Sequence, residues 1–134
     1  MGRMETCRID GEGYDKLVSF ENWRLAKLRW EPRFEPENLS FFERHLATDE
    51  AFLLYEGAAF LMTGGDGDRP EDIEVVKMET GVVYNFPKAA WHQILCSRDA
   101  TVIIVENEDT SEENSEHIDF TPEQKQKVLE QVKF

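Results

Sequence analysis

This chain reads as an all-β domain, a single antiparallel sandwich or barrel closed off by a short C-terminal helix. Three observations predict it. Short apolar runs recur at even intervals, each is bounded by Gly, Pro, Asp or Ser, and the last segment alone carries the start signals of a helix. The 134 residues suit one domain, 1–134, long enough to bury a substantial core. Nine Phe, three Trp and three Tyr supply the apolar bulk that a disordered chain lacks.

The elements follow in order. "NWRLAKLRW" (22–30) has aromatic residues near both ends and is expected as an outer strand, the contact surface of a homodimer. "EPRFEPEN" carries Pro32 and Pro36 and marks an extended loop. "EAFLLYE" and "AAFLMT" are strands separated at Gly57, and "GGDGDRP" (64–70), with three glycines and a proline, is a turn. "DIEVVKM", "VVYNF", "WHQILC" and "TVIIVEN" continue the series. The stretch 107–117 holds five carboxylates and no apolar residue, so a mobile loop is expected, with His117 solvated within it. A helix is predicted over about 122–133. Thr121 is its N-cap, Pro122 its first residue and Gln124 completes a capping box, while Val128, Leu129 and Val132 form one apolar stripe facing the barrel or a partner subunit.

Charge narrows the partners. A net charge of −13 argues against nucleic acid and anionic membrane surfaces and suits cationic ligands, metal ions included. No apolar run reaches the roughly 20 residues of a membrane helix, and the N-terminal stretch has no apolar signal-peptide core. Two distant cysteines, Cys7 and Cys96, make no disulfide framework. A cytoplasmic protein with a small-molecule ligand is the expectation.

The chemistry concentrates in "FFERHLATDEAFLLYEG". An extended backbone puts Glu43 and His45 on one face, and alternation then groups Glu50, Phe52 and Leu54. Further on, His92, Ile94 and Cys96 share a face. If both faces line one interior, His45, Glu50 and His92 converge there. Two neutral imidazoles with one or two carboxylates suit Zn, Mn, Fe or Ni as divalent ions, and a buried carboxylate needs such a partner. Glu43 is the further metal-ligand candidate. Either Glu43 or Glu50, when not ligating, is the natural general base. The open alternative is that Glu43 and His45 cap a strand end in solvent while Glu50 pairs with Arg44 or Arg98. Cys96 is either a cavity thiol, as ligand or nucleophile, or inert packing. Tyr84 and Lys88 flank the second stretch and are candidates for holding an anionic substrate group. Trp91 should point away from His92. The Gly-rich turn is no phosphate site, because its aspartates repel phosphate and no helix follows.

These two stretches resemble the signature motifs of the cupin superfamily across residues 40–106. In the first, Glu43 stands where the first His would be, followed by His45, four residues, Glu50, six residues and Gly57. In the second, Gly81 is followed by five residues, Pro87, Ala89 in place of the second Gly, His92, and Cys96 in place of Asn. The resemblance implies a small antiparallel jelly-roll β-barrel. Within cupins the chain looks similar to the ureidoglycolate lyases, through Glu43-Arg44-His45, Glu50-Ala51-Phe52, Gly81-Val82-Val83-Tyr84 and Trp91-His92. Glu50 replaces a Gln of that family and Gln93 a second His. The resemblance implies a metal-dependent lyase or hydrolase acting on a small polar carboxylate or ureido metabolite. A non-catalytic binding or sensing barrel is the alternative.

Overall fold

Ten antiparallel strands stack as two facing sheets in the computed structural model, which describes residues 2–134. They are β1 (Gly13–Phe20), β2 (Trp23–Arg29), β3 (Phe41–His45), β4 (Glu50–Glu56), β5 (Ala59–Thr63), β6 (Glu74–Lys77), β7 (Val83–Phe86), β8 (His92–Cys96), β9 (Thr101–Asn107) and β10 (Ser115–Asp119), followed by helix α1 (Pro122–Gln131). One sheet runs β1-β2-β9-β4-β7 and the other β10-β3-β8-β5-β6. The architecture is the expected jelly roll, although the two sheets face each other without closing into one hydrogen-bonded barrel. Among the described residues no helix is long and apolar enough to cross a membrane.

Strand alternation builds the core. In β4 the burial pattern puts Glu50, Phe52 and Leu54 inward and leaves Tyr55 exposed. Phe52, Leu54, Ile94, Cys96, Val102 and Ile104 meet between the sheets. A second apolar cluster lies on the far side of β3, β5 and β8, where Phe42, Phe60, Met62 and Leu95 pack with Val128 and Val132 of the C-terminal segment. The apolar stripe of α1 therefore covers its own barrel. The capping box at Thr121 and Gln124 forms as expected, and the helix stops at Gln131, just short of the expected end.

Two expectations are corrected. The "NWRLAKLRW" segment is not an outer strand: β2 pairs with β1 on one side and β9 on the other. Its Lys27 is fully buried, with Nζ donating to Gly11 O at 2.8 Å and Gly13 O at 2.9 Å and lying 3.0 Å from Asp15. The edge strand β1, poor in contiguous apolar residues, gave little sequence signal. The acidic stretch 107–117 is not one free loop. It ends β9, makes a short capped turn at Glu112–Asn114 and enters β10, which pairs with β3 so that His117 sits beside Glu43. His117 is exposed, as expected, but it stands in a strand rather than a loop and stacks on Phe41 with ring centroids 4.3 Å apart. Within "ERHLATDE", His45 ends β3 in one sheet and Glu50 begins β4 in the other.

Gly57 is fixed by its turn between β4 and β5. Its φ is +79°, and a Cβ there would lie 2.5 Å from Ala100 Cα, a clash with backbone that no rotamer relieves. Gly57→Ala should lose about 2 kcal/mol or more of stability, through strain and displaced backbone together. Urea unfolding of the variant against wild type measures it, and an unchanged midpoint would contradict this packing.

Candidate metal centre

Four strands from both sheets deliver ionisable side chains to one point between them. Cross-strand pairing places Glu43 of β3 opposite His92 of β8, and Ser115 of β10 opposite His45. Glu50 arrives from the facing sheet at the start of β4, and Glu106 from the end of β9. All four of His45, Glu50, His92 and Glu106 are buried, at 9 %, 6 %, 3 % and 6 % exposure, whereas Glu43 is half-buried. They line a cavity of about 330 Å³ whose remaining wall is mixed, apolar at Leu28, Phe34, Phe52, Ile94 and Ile104 and polar at Tyr14, Gln93, Thr110 and Ser111.

Glu50 is the centre of the cluster. Its Oε1 lies 3.1 Å from His45 Nε2 and 2.9 Å from His92 Nε2. The opposite ring nitrogens are pinned: His45 Nδ1 is 2.8 Å from Ser115 Oγ, and His92 Nδ1 is 3.0 Å from Ala90 O. Both imidazoles thus turn Nε2 into the cavity. Glu43 Oε1 is 3.9 Å from His92 Nε2, and Glu106 Oε1 is 3.9 Å from His45 Nε2. Burial opposes charge on Glu50, but the hydrogen bond to His45 and the nearness of His92 outweigh it and hold the carboxyl well below its ordinary value. Burial opposes charge on each imidazole too, yet Glu50 raises both above the ordinary histidine value. Glu106 moves the other way: burial, and then the charge of Glu50, push its carboxyl up.

The donor set fits a divalent ion. Ligand atoms of Glu43, His45 and His92 lie within 4.8 Å of one another, and so do those of His45, Glu50 and Glu106. His92 Nε2 is buried and faces Glu50 Oε1 without the alignment of a hydrogen bond, and Glu106 Oε1 is buried without a hydrogen-bond partner. Unpartnered imidazole nitrogen and carboxylate oxygen facing the same cavity are the donors that borderline ions such as Zn, Fe, Mn or Ni accept. The solvent-exposed alternative does not hold for His45 or Glu50. Arg44 pairs with Glu116 and stacks over Trp91, while Arg98 pairs with Glu35, so neither arginine reaches Glu50.

Three expected substrate residues lie elsewhere. Cys96 is packed into the core between the sheets and does not line the cavity, and burial pushes its thiol up to about 12, which disfavours a thiolate. The Tyr84 hydroxyl accepts a hydrogen bond from the backbone N–H of Glu79, and the ring borders a different, shallow groove. Lys88 is exposed on a surface turn, where its backbone N–H donates to Asp49. Tyr84 shares the inward face of β7 with Phe86 and packs against the inter-sheet core opposite Phe52, two residues further from the cluster than Phe86, while Lys88 stands on the turn after Pro87. Trp91 points away from His92, as alternation requires, and its Nε1 donates to Gly67 O.

Glu106 and its partner Tyr14 were not anticipated. The signal for Glu106 was available: Val102, Ile104 and Glu106 alternate in "TVIIVEN" as Glu50, Phe52 and Leu54 do in "EAFLLYE". Tyr14 lies on β1, the strand without a clear pattern.

No protein-family model matches the chain, and no curated protein matches it. Solved structures do. A cupin-2 domain protein from Shewanella frigidimarina superposes with a TM-score of 0.52 at 17 % identity, over 73 % of this chain and 83 % of that one. Oxalate decarboxylase from Bacillus subtilis gives 0.52 at 17 %, over 73 % of this chain but 24 % of that one. Streptomyces PAC13 with uridine gives 0.59 at 12 %, over 92 % of this chain and 96 % of that one, and Pac13 is described as a nucleoside dehydratase. At these identities the likeness is one of fold: the chain has the cupin jelly roll.

Two outcomes test the centre. His45→Ala or His92→Ala should abolish the zinc uptake of the purified protein while its far-ultraviolet circular dichroism stays that of the wild type, since neither ring takes part in the strand pairing; metal retained at wild-type stoichiometry in both would contradict the assignment. The pH dependence has a defined sign. Without metal, the raised histidines add stability below the ordinary imidazole value of about 6.5 and lose it as pH rises through their folded values. The lowered Glu50 adds stability above the ordinary carboxylate value. Metal competes with the imidazole protons, so the rise in Tm on adding zinc should be larger at about pH 8 than at about pH 6.

Proposed function

We propose that this protein is a divalent-metal-dependent enzyme of the lyase or hydrolase type, acting on a small polar metabolite. The observation that carries the reading is the convergence of His45, Glu50 and His92, from two sheets, on a partly apolar cavity with unpartnered ligand atoms inside it. The motif resemblance to ureidoglycolate lyases supports that reaction type. The fold is one that also hosts a nucleoside dehydratase and oxalate decarboxylase, although fold alone assigns no reaction.

His45, Glu50 and His92 would hold the ion, with Glu43 within reach. When bound, the ion supplies Lewis-acid polarisation of a substrate oxygen. The two carboxylates expected as bases then separate by environment. Glu50 lies between two imidazoles and its charge is stabilised there, which makes it a ligand and a weak base. Glu43 is half-buried at the mouth, with Oε2 3.4 Å from His117 Nε2 and Oε1 toward His92. It is the carboxylate free to take a proton from substrate and pass it outward through His117 or solvent. The apolar patch of Leu28, Phe52 and Ile104 offers a surface for the carbon skeleton of the substrate. Arg33 is the one cation among the lining residues, so the surroundings favour an uncharged ureido or hydroxyl group over a free carboxylate.

Glu43→Gln should keep its metal and its Tm but lose roughly 10²–10⁴ in turnover, the usual range for a general base. Glu50→Gln should lose the metal. Turnover of ureido and hydroxy-acid substrates by zinc-, manganese-, iron- and nickel-loaded protein supplies the assay. Metal-loaded wild type that binds such molecules yet converts none would leave the binding barrel as the function.

A further inference from the structure

One carboxylate remains once the ligand cluster is assigned. Glu106 faces inward at the end of β9 and is held from behind. Its Oε2 accepts a hydrogen bond from the Tyr14 hydroxyl at 2.6 Å, and the Tyr14 oxygen accepts one from Arg24 Nη1 at 3.2 Å. Oε1 has no hydrogen-bond partner and is buried, although the residue lines the cavity. An acceptor oriented from behind and left free at its inner atom is destabilising unless something entering the cavity donates to it.

We propose that Glu106 is the substrate-recognition residue of this cavity: its Oε1 accepts a hydrogen bond from a hydroxyl group of an uncharged, polyhydroxylated small molecule. The proposal deepens the enzymatic reading above and rests on it for the neighbouring metal. Two features select an uncharged donor. Glu43, Glu50 and Glu112 line the same cavity, and the single lining cation, Arg33, is engaged by Glu31, so a substrate carboxylate meets like charge. A second cation beside a bound divalent ion would be repelled by it and would lie against Leu28, Phe52 and Ile104, which give no compensation for its lost hydration. A hydroxyl pairs with Oε1 at no such cost, and the carbon skeleton that bears it packs on the apolar wall.

The test uses three probes with one five-carbon skeleton: ribitol (uncharged), ribonate (anionic) and 1-amino-1-deoxyribitol (cationic). Each is titrated into zinc-loaded, ¹⁵N-labelled full-length protein, with zinc content measured on the same samples. Ribitol should shift amides around the cavity, those of Gln93 and Ser115 included, and bind at least about 10-fold tighter than either charged probe. Glu106→Ala should retain zinc and weaken ribitol about 10-fold or more. Glu106→Gln keeps the side-chain shape and removes its charge, so it should narrow the preference for ribitol over ribonate even if the alanine variant does not fold. Equal or tighter binding of a charged probe, ribitol binding unaffected by both substitutions, no shift with any probe, or zinc lost from Glu106→Gln would each overturn the proposal; the last would make Glu106 a ligand. Wild type that takes up no zinc would instead count against the enzymatic reading; on the metal-free protein the loss of ribitol binding in Glu106→Ala and the narrowed preference over ribonate in Glu106→Gln still decide the role of Glu106, because neither depends on repulsion by the ion.

Discussion

The structure turns on a carboxylate placed where carboxylates are rarely tolerated. Glu50 is buried between two sheets whose shared core is built mainly of Phe, Leu, Ile, Val and Ala. Left alone, such a group would be protonated or would destabilise the sandwich. It stays charged because two imidazoles face it within 3.1 Å, each with its far nitrogen already committed to Ser115 or Ala90. The orientation of both rings, the burial of Glu50 and the pairing of β10 with β3 are therefore one constraint. A residue moved in any of them releases the others.

The jelly roll makes this arrangement possible by bringing separate strands to the same depth. β3 and β8 sit side by side and supply His45, Glu43 and His92, while β4 and β9 supply Glu50 and Glu106 from across the core. The stability that permits buried charge comes from elsewhere. The apolar residues between the sheets form one cluster, and α1 with Phe120 covers a second on the outer face of β3, β5 and β8, where Phe120 stacks on Phe42 at 3.9 Å. The second cluster braces the back of the strands that carry both histidines. The polar centre and the apolar brace thus occupy opposite faces of the same strands, as period-two alternation requires.

How much of this was legible in the sequence depends on how local the signal was. The strands β4, β5, β8 and β9 carry dense apolar residues bounded by turns, and they were readable. The centre was readable because His45, Glu50 and His92 lie in motifs of fixed spacing whose inward phase follows from alternation. The N-terminal strand β1 and the acidic strand β10 were not, since each is held by its neighbour's backbone rather than by its own apolar face. Missing β10 also misplaced His117, and missing β1 hid Tyr14. Cys96 shared a face with His92 in the strand pattern, but four residues further along that face the cavity gives way to packed core, a difference of depth that periodicity does not encode. Tyr84, near the second motif in sequence, is likewise on the inward face but packs beyond the cavity, and Lys88 is carried outward by the turn after Pro87.

The central claim is that a divalent ion sits at the meeting point of His45, Glu50 and His92. X-ray data from crystals of the purified protein, collected on both sides of the absorption edges of zinc, iron, manganese and nickel, test it most directly. The account predicts one anomalous peak inside the cavity, about 2.0–2.3 Å from the Nε2 atoms of both histidines and from a Glu50 oxygen. An anomalous map empty at that point after metal supplementation, with Glu50 still seated between the two imidazoles, would contradict it.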